Sequence, residues 1–141
     1  MTREEITAMF ARMYDSFNRR DVADLVRDRS ENSVVESPFV GGVARGRAAI
    51  EQAFRSFFHA FPDARLTWED TLIDGDRVTL IGRLSGTDHG GFMGAAAKGR
   101  TFDIPIISLY ELKNGLIVHE RRIYDFTGAL VQVGALKAKP V

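Results

Sequence analysis

The sequence predicts an α+β fold in which three helices cover one face of a curved antiparallel sheet. Up to Phe61, apolar residues recur at helical spacing, and from Ala64 onward the spacing changes to two, as in strands. Helices that precede a run of strands are typical of α+β folds, with the helices packed on one side of the sheet. The length of 141 residues fits a single domain spanning 1–141.

Each helix has its own start signal. Thr2 and Glu5 form a capping box ahead of the first helix. Its apolar positions follow the helical period: Ile6, Met9, Phe10, Met13, Tyr14 and Phe17. Asp21 caps a short second helix. The third helix begins near Gly46 and stops before Pro62, and its phenylalanines need a broad surface to cover, which a sheet supplies.

Strand signals dominate the second half of the chain. A short strand spans 33–38, and longer ones span 64–73, 77–85, 100–112 and the residues after 115. The pairs Asp74-Gly75 and Asn114-Gly115 are strong hairpin signals. Gly82 and Pro105 lie inside strands and indicate bulges or bends. A bent sheet with helices on its concave side can enclose a cavity.

A Gly/Ala-rich loop spans 86–99. Loops of this length inside a compact domain are functional covers or mobile segments. We expect Phe92 and Met93 to act as an apolar lid.

Composition excludes several function classes. Lys+Arg and Asp+Glu both number 19, so no net positive charge favours nucleic acid or an anionic membrane surface. There is no cysteine, and three scattered histidines show no metal-ligand spacing. No apolar run approaches membrane-spanning length, and the charged N-terminus lacks a signal-peptide core. We therefore expect a cytoplasmic protein without metal, nucleic-acid or membrane partners.

The stretch 115–125 carries the most unusual residues. A regular ladder from the Asn114-Gly115 turn predicts these pairs: Leu112 with Ile117, Tyr110 with His119, Ser108 with Arg121, Ile106 with Ile123 and Ile104 with Asp125. This register surrounds Asp125 with apolar side chains, and burial raises the pKa of a carboxyl group. A strand rises about 3.3 Å per residue, so His119 lies roughly 20 Å from Asp125 and cannot form a dyad with it.

A series of short motifs, in this order and spacing, resembles the SnoaL-like polyketide cyclase family. The matching pieces run from about 10 to 134: Tyr14 with 18–21, 35–38, Gly46-Arg47, 61–63, Gly86-Thr87, 90–92, 98–100, 114–117, and Asp125 with 132–134. The resemblance implies a cone-shaped NTF2-like fold. It also implies an intramolecular aldol reaction that closes a ring in a polyketide ester without metal or cofactor.

The resemblance also implies site residues. Asp125 matches the family's acid/base aspartate at the end of the last strand, so we expect it to be catalytic. Two positions depart from the family pattern, because His89 is displaced by Asp88, and His119 and Arg121 replace a glutamate and a tryptophan. We expect substrate contacts from these residues: His119, Arg121, Trp68, Tyr14, Ile104, Phe39 and Phe92.

The expected ligand is a small apolar or aromatic molecule, and no cofactor is expected. NTF2-like domains associate through the open face of the sheet, so we also expect a homo-oligomer, either a dimer or a tetramer. An apolar patch on that face would comprise these residues: Leu109, Leu116, Val118 and Tyr124.

Simpler structural roles compete with each site assignment. Asp125 is also a good cap for the turn or short helix over 127–133. His119 and Tyr110 can form an ordinary cross-strand pair. Arg121 can pair with Glu36 or Asp70, and Trp68 can be core.

Two other functions stay open. The first is an epoxide hydrolase or isomerase on the same fold. The hydrolase form resembles limonene epoxide hydrolase and needs an Asp–Arg–Asp arrangement, with Arg83 or Arg121 between Asp70 and Asp125. The second is a non-catalytic ligand-binding or assembly module, which becomes the leading interpretation if the cavity is too small for any ligand or if Asp125 faces solvent.

Overall fold

The computed structural model describes residues 1–90, 92–94 and 96–137. The α-helices are α1 (Arg3–Arg19), α2 (Val22–Leu25), α3 (Arg47–Ala60) and α4 (Phe126–Gln132). The strands are β1 (Arg29–Ser37), β2 (Gly42–Arg45), β3 (Arg65–Asp74), β4 (Arg77–Thr87), β5 (Thr101–Lys113) and β6 (Leu116–Tyr124). Short 3₁₀ helices span Pro38–Val40 and Phe92–Gly94.

The six strands form one curved, open sheet in the order β2-β1-β6-β5-β4-β3. The predicted α+β architecture is confirmed. The segment after β6, predicted as a turn or short helix, forms the fourth helix, α4. The sheet differs in one detail, since β1 pairs with β6 in parallel within an otherwise antiparallel sheet. Strand β2 was not predicted, because four residues between glycines carry little periodicity.

Helices α1 and α3 cover the inner face of the sheet. The capping box of Thr2 and Glu5 is formed as predicted. Along β5, every second residue from Phe102 to Leu112 is buried, which is the alternation of a half-covered strand. The Phe10 ring of α1 lies 4.7 Å from the ring of Tyr110 in an edge-on contact. Burial of these aromatic side chains stabilises the layer of helices on the sheet.

The hairpin between β5 and β6 confirms the signal at Asn114-Gly115. Lys113 pairs with Leu116, which leaves a two-residue loop. Asn114 has φ 52° and Gly115 has φ 76°. Two consecutive positive φ angles are the hallmark of the type I′ turn that suits strand twist.

The register of β6 differs from the prediction beyond the first two pairs. Leu112 pairs with Ile117 as expected, but Glu111 then pairs with His119, so Val118 is an extra residue in a bulge. The following pairs are Tyr110 with Glu120, Ser108 with Arg122 and Ile106 with Tyr124. A shift of one residue turns every later side chain to the opposite face.

A second bulge lies at Gly82. Trp68 pairs with Gly82 and Asp70 with Ile81, so Glu69 is an extra residue in β3. The expected irregularity is therefore confirmed at Gly82. It is absent at Pro105, because the β4–β5 ladder continues through that residue without a shift.

The outer face of the sheet carries exposed apolar side chains: Leu72, Ile107, Leu109, Leu116 and Ile123. Tyr124, which we expected on this face, instead points inward as a consequence of the bulge at Val118. The homo-oligomer remains a prediction. Within the described residues, no helix is long and apolar enough to cross a membrane.

Candidate functional site

A cavity lies between helices α1 and α3 and the inner face of the sheet. The cavity itself has a volume of about 60 Å³, and the empty space that includes its open mouth amounts to about 780 Å³. Aliphatic and aromatic side chains make up most of the wall. The charged residues among the described wall are Arg29, Glu120 and Arg122.

Three of the predicted ligand-contact residues line this cavity. Tyr14 of α1, Phe39 of the first 3₁₀ helix and Trp68 of β3 are part of its wall. Ile104 is 1% exposed and belongs to the core beneath the wall. Phe92 packs against the Phe39 ring at 5.1 Å, outside the wall itself. For Met93, the second residue of the expected lid, the side chain lies outside the described structure.

His119 and Arg121 lie on the outer face of the sheet, so the expectation that they face the cavity is wrong. His119 Nε2 is 2.8 Å from Glu36 Oε2, and Arg121 Nε donates to the same oxygen at 3.3 Å. The hydrogen bond from Arg121 contributes most to the lowered pKa of Glu36. The alternative of a structural Arg121–Glu36 ion pair is thus confirmed, and the alternative pairing of His119 with Tyr110 is wrong.

Asp125 is exposed and caps helix α4. Its Oδ1 accepts a hydrogen bond from the backbone N–H of Gly128 at 2.8 Å. The expectation that Ile104 and neighbouring apolar residues surround this carboxylate is wrong, because the ladder between β5 and β6 ends at Tyr124 and its register is shifted. Asp125 is not part of the cavity wall.

We expect Asp125→Ala to lower the free energy of unfolding by about 1 kcal/mol, because it removes the side-chain cap of α4. Asp125→Asn should cost only a few tenths of a kcal/mol, since asparagine caps about as well as aspartate. Urea unfolding followed by circular dichroism measures both. Equal losses in the two variants would mean that the charge of the carboxylate, and not the cap, stabilises this end of the chain.

A buried charge cluster forms the polar part of the cavity wall. Arg29 Nη2 is 2.5 Å from Glu120 Oε2. Arg122 holds the same carboxylate with two bonds, from Nε at 2.7 Å and Nη2 at 3.3 Å. The side chains of Arg29 and Glu120 are 1% and 2% exposed, and that of Arg122 is 14% exposed. We call these three residues the Arg–Glu–Arg cluster.

The cluster controls the ionisation of the wall. Burial by itself raises the pKa of Glu120, but the opposing charges and hydrogen bonds of Arg122 and Arg29 lower it to about 2. Burial raises the pKa of the neighbouring Tyr110 above its ordinary range. At neutral pH the wall therefore holds two guanidinium cations, one carboxylate and a neutral phenol.

Tyr124 places a second polar group on the wall. Its hydroxyl lies 2.6 Å from Ser37 Oγ and accepts from the backbone N–H of Phe39 at 2.9 Å. Burial raises the pKa of Tyr124, although both hydrogen bonds oppose this change. The side chain is therefore a neutral phenol at the edge of an aromatic cluster, with its ring stacked on Phe39 at 5.1 Å.

The sequence contains a pattern that indicates this part of the wall, but the predicted β5–β6 register without a bulge placed these residues on the outer face. Glu120, Arg122 and Tyr124 alternate along β6 and so share one face. Opposite charges two residues apart on a buried face can satisfy one another. Arg29 lay outside the predicted first strand, so its long-range contact with Glu120 could not be anticipated.

The arrangement required for an epoxide hydrolase is not formed by the residues proposed for it. Arg83 pairs with Asp103 at 2.9 Å on the surface, and Arg121 pairs with Glu36. The buried cluster has the inverse composition, one carboxylate between two arginines. In the part of the chain that the structure describes, no group of three or more histidines and carboxylates is placed to hold a metal ion.

Comparisons with known proteins agree on family and fold. The family model described as SnoaL-like polyketide cyclase matches residues 8–133. IdmH from Streptomyces antibioticus, a candidate polyketide cyclase, is 27% identical with a TM-score of 0.77, over 91% of this chain and 97% of its own. No curated protein shows significant sequence similarity to this chain.

Two more distant structures share the fold. AclR from Streptomyces galilaeus, a candidate hydroxylase, has a TM-score of 0.83 at 23% identity, over 96% of this chain and all of its own. TerC, co-crystallised with polyporic acid, has a TM-score of 0.77 at 16% identity, over 92% of this chain and 98% of its own. The relatives include structures named for an NTF2-like protein and a ketosteroid isomerase-like fold. The NTF2-like fold that the resemblance implied is thereby confirmed.

Proposed function

Because the chain belongs to the SnoaL-like polyketide cyclase family, we propose that it is a cofactor-independent enzyme that closes a ring in a small apolar carbonyl compound by an aldol-type reaction. The observation that carries this proposal is the aromatic cavity, which has polar groups concentrated on the β6 side of its wall. The class of substrate is supported by the family and by the polyketide cyclase assignment of IdmH.

The cavity wall suits the geometric demand of ring closure. An aldol step forms one C–C bond between an enolate carbon and a carbonyl carbon, and the π electrons of that carbonyl move to its oxygen, which then takes a proton. Flat walls formed by Phe39, Phe57 and Trp68 favour a planar, folded substrate. The neutral hydroxyl of Tyr124 can donate a hydrogen bond to the carbonyl oxygen that becomes charged.

Asp125 occupies the position of the family's acid/base aspartate, which implies an acid/base role for it. Of the parts of this proposal, that role has the weakest support from the geometry. The carboxylate would have to leave its hydrogen bond to Gly128 and turn from solvent to the cavity. The exposed Asp125 meets the condition under which a non-catalytic ligand-binding module would lead. The family match and the aromatic wall of the cavity support the cyclase against it, so the module is the second candidate function.

The test uses a synthetic aryl 1,3-dicarbonyl ester that carries a second ketone placed for closure of a six-membered ring. We expect the protein to accelerate ring closure above the rate in buffer, measured by liquid chromatography and mass spectrometry. Ala53→Phe should abolish the acceleration, because residue 53 lies on the cavity wall. Ala49→Phe, an equal change at an exposed position of the same helix, should leave it unchanged.

The outcomes separate the two candidates. Binding without acceleration would favour the ligand-binding module. Acceleration that survives Ala53→Phe would place the reaction outside the cavity and contradict the proposal. Full turnover by Asp125→Asn would exclude the acid/base role of Asp125, since this variant keeps the helix cap.

A further inference from the structure

The cavity wall carries an unbalanced positive charge. Two arginines face one carboxylate in the Arg–Glu–Arg cluster, which leaves a net charge of +1. The titratable residues of the described wall are Tyr14, Arg29, Tyr110, Glu120, Arg122 and Tyr124. Burial raises the pKa of Tyr110 and of Tyr124, so both hydroxyl groups stay neutral at physiological pH and neither cancels this charge. A net positive charge in a buried cluster is costly, and an anion bound beside it would offset that cost.

Hydrogen-bond donors in the cluster are also left without partners. Nε and Nη1 of Arg29 are buried and have no acceptor among the described residues. Within the same residues, the hydrogen bonds of Arg122 use only Nε and Nη2. A buried donor that lacks an acceptor costs about 1–3 kcal/mol. These donors therefore favour a ligand that brings acceptor oxygens to the wall.

Aromatic packing holds the two guanidinium groups in place. The Cζ atoms of Arg122 and Arg29 lie 5.1 and 5.8 Å from the ring centroid of Phe54. At such distances a ring face attracts a cation. Glu120 fixes the other side of both groups through the bonds described above. The cations are thus preorganised before any ligand enters, which is the condition for effective charge stabilisation.

The same wall offers no strong base. Glu120 is bound by two cations, which makes its carboxylate a poor acceptor for a proton from carbon. Tyr110 and Tyr124 keep their protons, because burial raises the pKa of both hydroxyl groups. The site is accordingly suited to stabilise an anion that forms readily, and carbon between two carbonyl groups gives such an anion because its charge spreads over two oxygens.

We propose that Arg29 and Arg122 form an oxyanion subsite in the cavity wall, and that the ligand binds there as the enolate of a 1,3-dicarbonyl compound. This inference rests on the proposed function and names the ionic form of its substrate. On binding, the acidic C–H or enol O–H bond breaks, its electron pair stays on the ligand, and the proton leaves to solvent. Arg29 and Arg122 act as binding residues, and Glu120 is a positioning residue that aims both guanidinium groups.

The experiment compares two probes of similar shape. 1-Phenylbutane-1,3-dione forms an enolate with its own ultraviolet absorption, whereas 4-phenylbutan-2-one has no acidic hydrogen of this kind. We expect the protein to lower the apparent pKa of the bound diketone by about one pH unit or more, which corresponds to roughly tenfold tighter binding of the enolate. Calorimetry in buffers of different ionisation enthalpy should show proton release on binding, which for a change of one unit reaches about half a proton per site midway between the free and bound pKa values and is larger for a larger change.

Substitutions of Arg122 test whether the Arg–Glu–Arg cluster causes the lowered pKa of the bound diketone. Arg122→Gln should remove most of the pKa change of the diketone while binding of the neutral ketone stays within about twofold. Arg122→Lys keeps the charge and should retain part of the change. Circular dichroism verifies that each variant is folded, and if Arg122→Gln does not fold, the two probes on the wild-type protein decide the question alone.

The outcomes are distinct. Equal affinity for both probes without proton release would overturn the oxyanion subsite and leave the proposed function intact. If the two probes did not compete with each other, they would bind at different sites. If both still bound to Ala53→Phe, they would bind outside the cavity. Either result would overturn the proposed function and the subsite together. An unchanged diketone pKa shift in folded Arg122→Gln would also exclude this arginine from the subsite.

Discussion

Replacement of Glu120 by glutamine is expected to destabilise the protein by about 3–5 kcal/mol at neutral pH. The substitution keeps the size of the side chain but leaves the Arg29 guanidinium, 1% exposed, next to that of Arg122 without a counter-charge. Removal of one partner from a buried ion pair typically has this effect. Since small domains are stable by only about 5–15 kcal/mol, the variant should unfold at much lower urea concentration.

The same residue predicts how stability depends on pH. The pKa of Glu120 is about 2 in the folded protein, below its ordinary value of 4.5. A lowered folded-state pKa stabilises the protein fully above the unfolded pKa, and this stabilisation is lost as the pH falls toward the folded value. Between about pH 4.5 and 2, the contribution from Glu120 should decrease by roughly 3 kcal/mol. Glu120→Gln should lack this part of the acid sensitivity.

Glu36→Gln is the matched control for Glu120→Gln. Glu36 also bonds two side chains, those of His119 and Arg121, but it lies on the outer face and is 37% exposed. Solvent screens such pairs, so the control should remain close to the wild type in urea. If Glu120→Gln were no less stable than Glu36→Gln, the Arg–Glu–Arg cluster would have no structural role.

Replacement of Gly82 by alanine is expected to cost about 3 kcal/mol, at the upper end for overpacked sites. A β-carbon at residue 82 would overlap the carbonyl oxygen of Thr67 and come within 2.7 Å of Cε3 of Trp68. Since the first of these atoms belongs to the backbone, the β3–β4 ladder would have to separate locally. Urea unfolding followed by far-ultraviolet circular dichroism measures the loss.

The same variant reports on the cavity. Trp68 is the single tryptophan of the chain and lines the cavity, so its fluorescence emission should shift when the ring is displaced. Gly86→Ala is the matched control in the same strand, because there the nearest atoms are side-chain carbons of Phe61 and Phe102 at 3.1 and 3.2 Å. We expect a smaller stability loss and unchanged emission from that control. Native-like emission and stability in Gly82→Ala would contradict the close approach of β3 at the bulge.

Some features of this protein follow from the sequence by itself. The capping box, the period of α1 and α3, the two hairpins and the irregularity at Gly82 depend on neighbours within a few residues, and local physical chemistry determines them. The order and spacing of the short motifs resemble those of the SnoaL-like family, and this resemblance indicated both the family and the fold. Tyr14, Phe39 and Trp68 lie on the inner side of their elements because they share a face with the apolar core.

Only the tertiary structure decided which face of β6 meets the cavity. A bulge at Val118 depends on how β6 fits between β5 and β1, and one extra residue exchanges the inner and outer sets of side chains. That exchange moves His119 and Arg121 to the surface, and it places Glu120, Arg122 and Tyr124 in the wall. The strand periodicity was evident from the sequence, but its phase was set by long-range packing, and the phase determines the chemistry of the cavity.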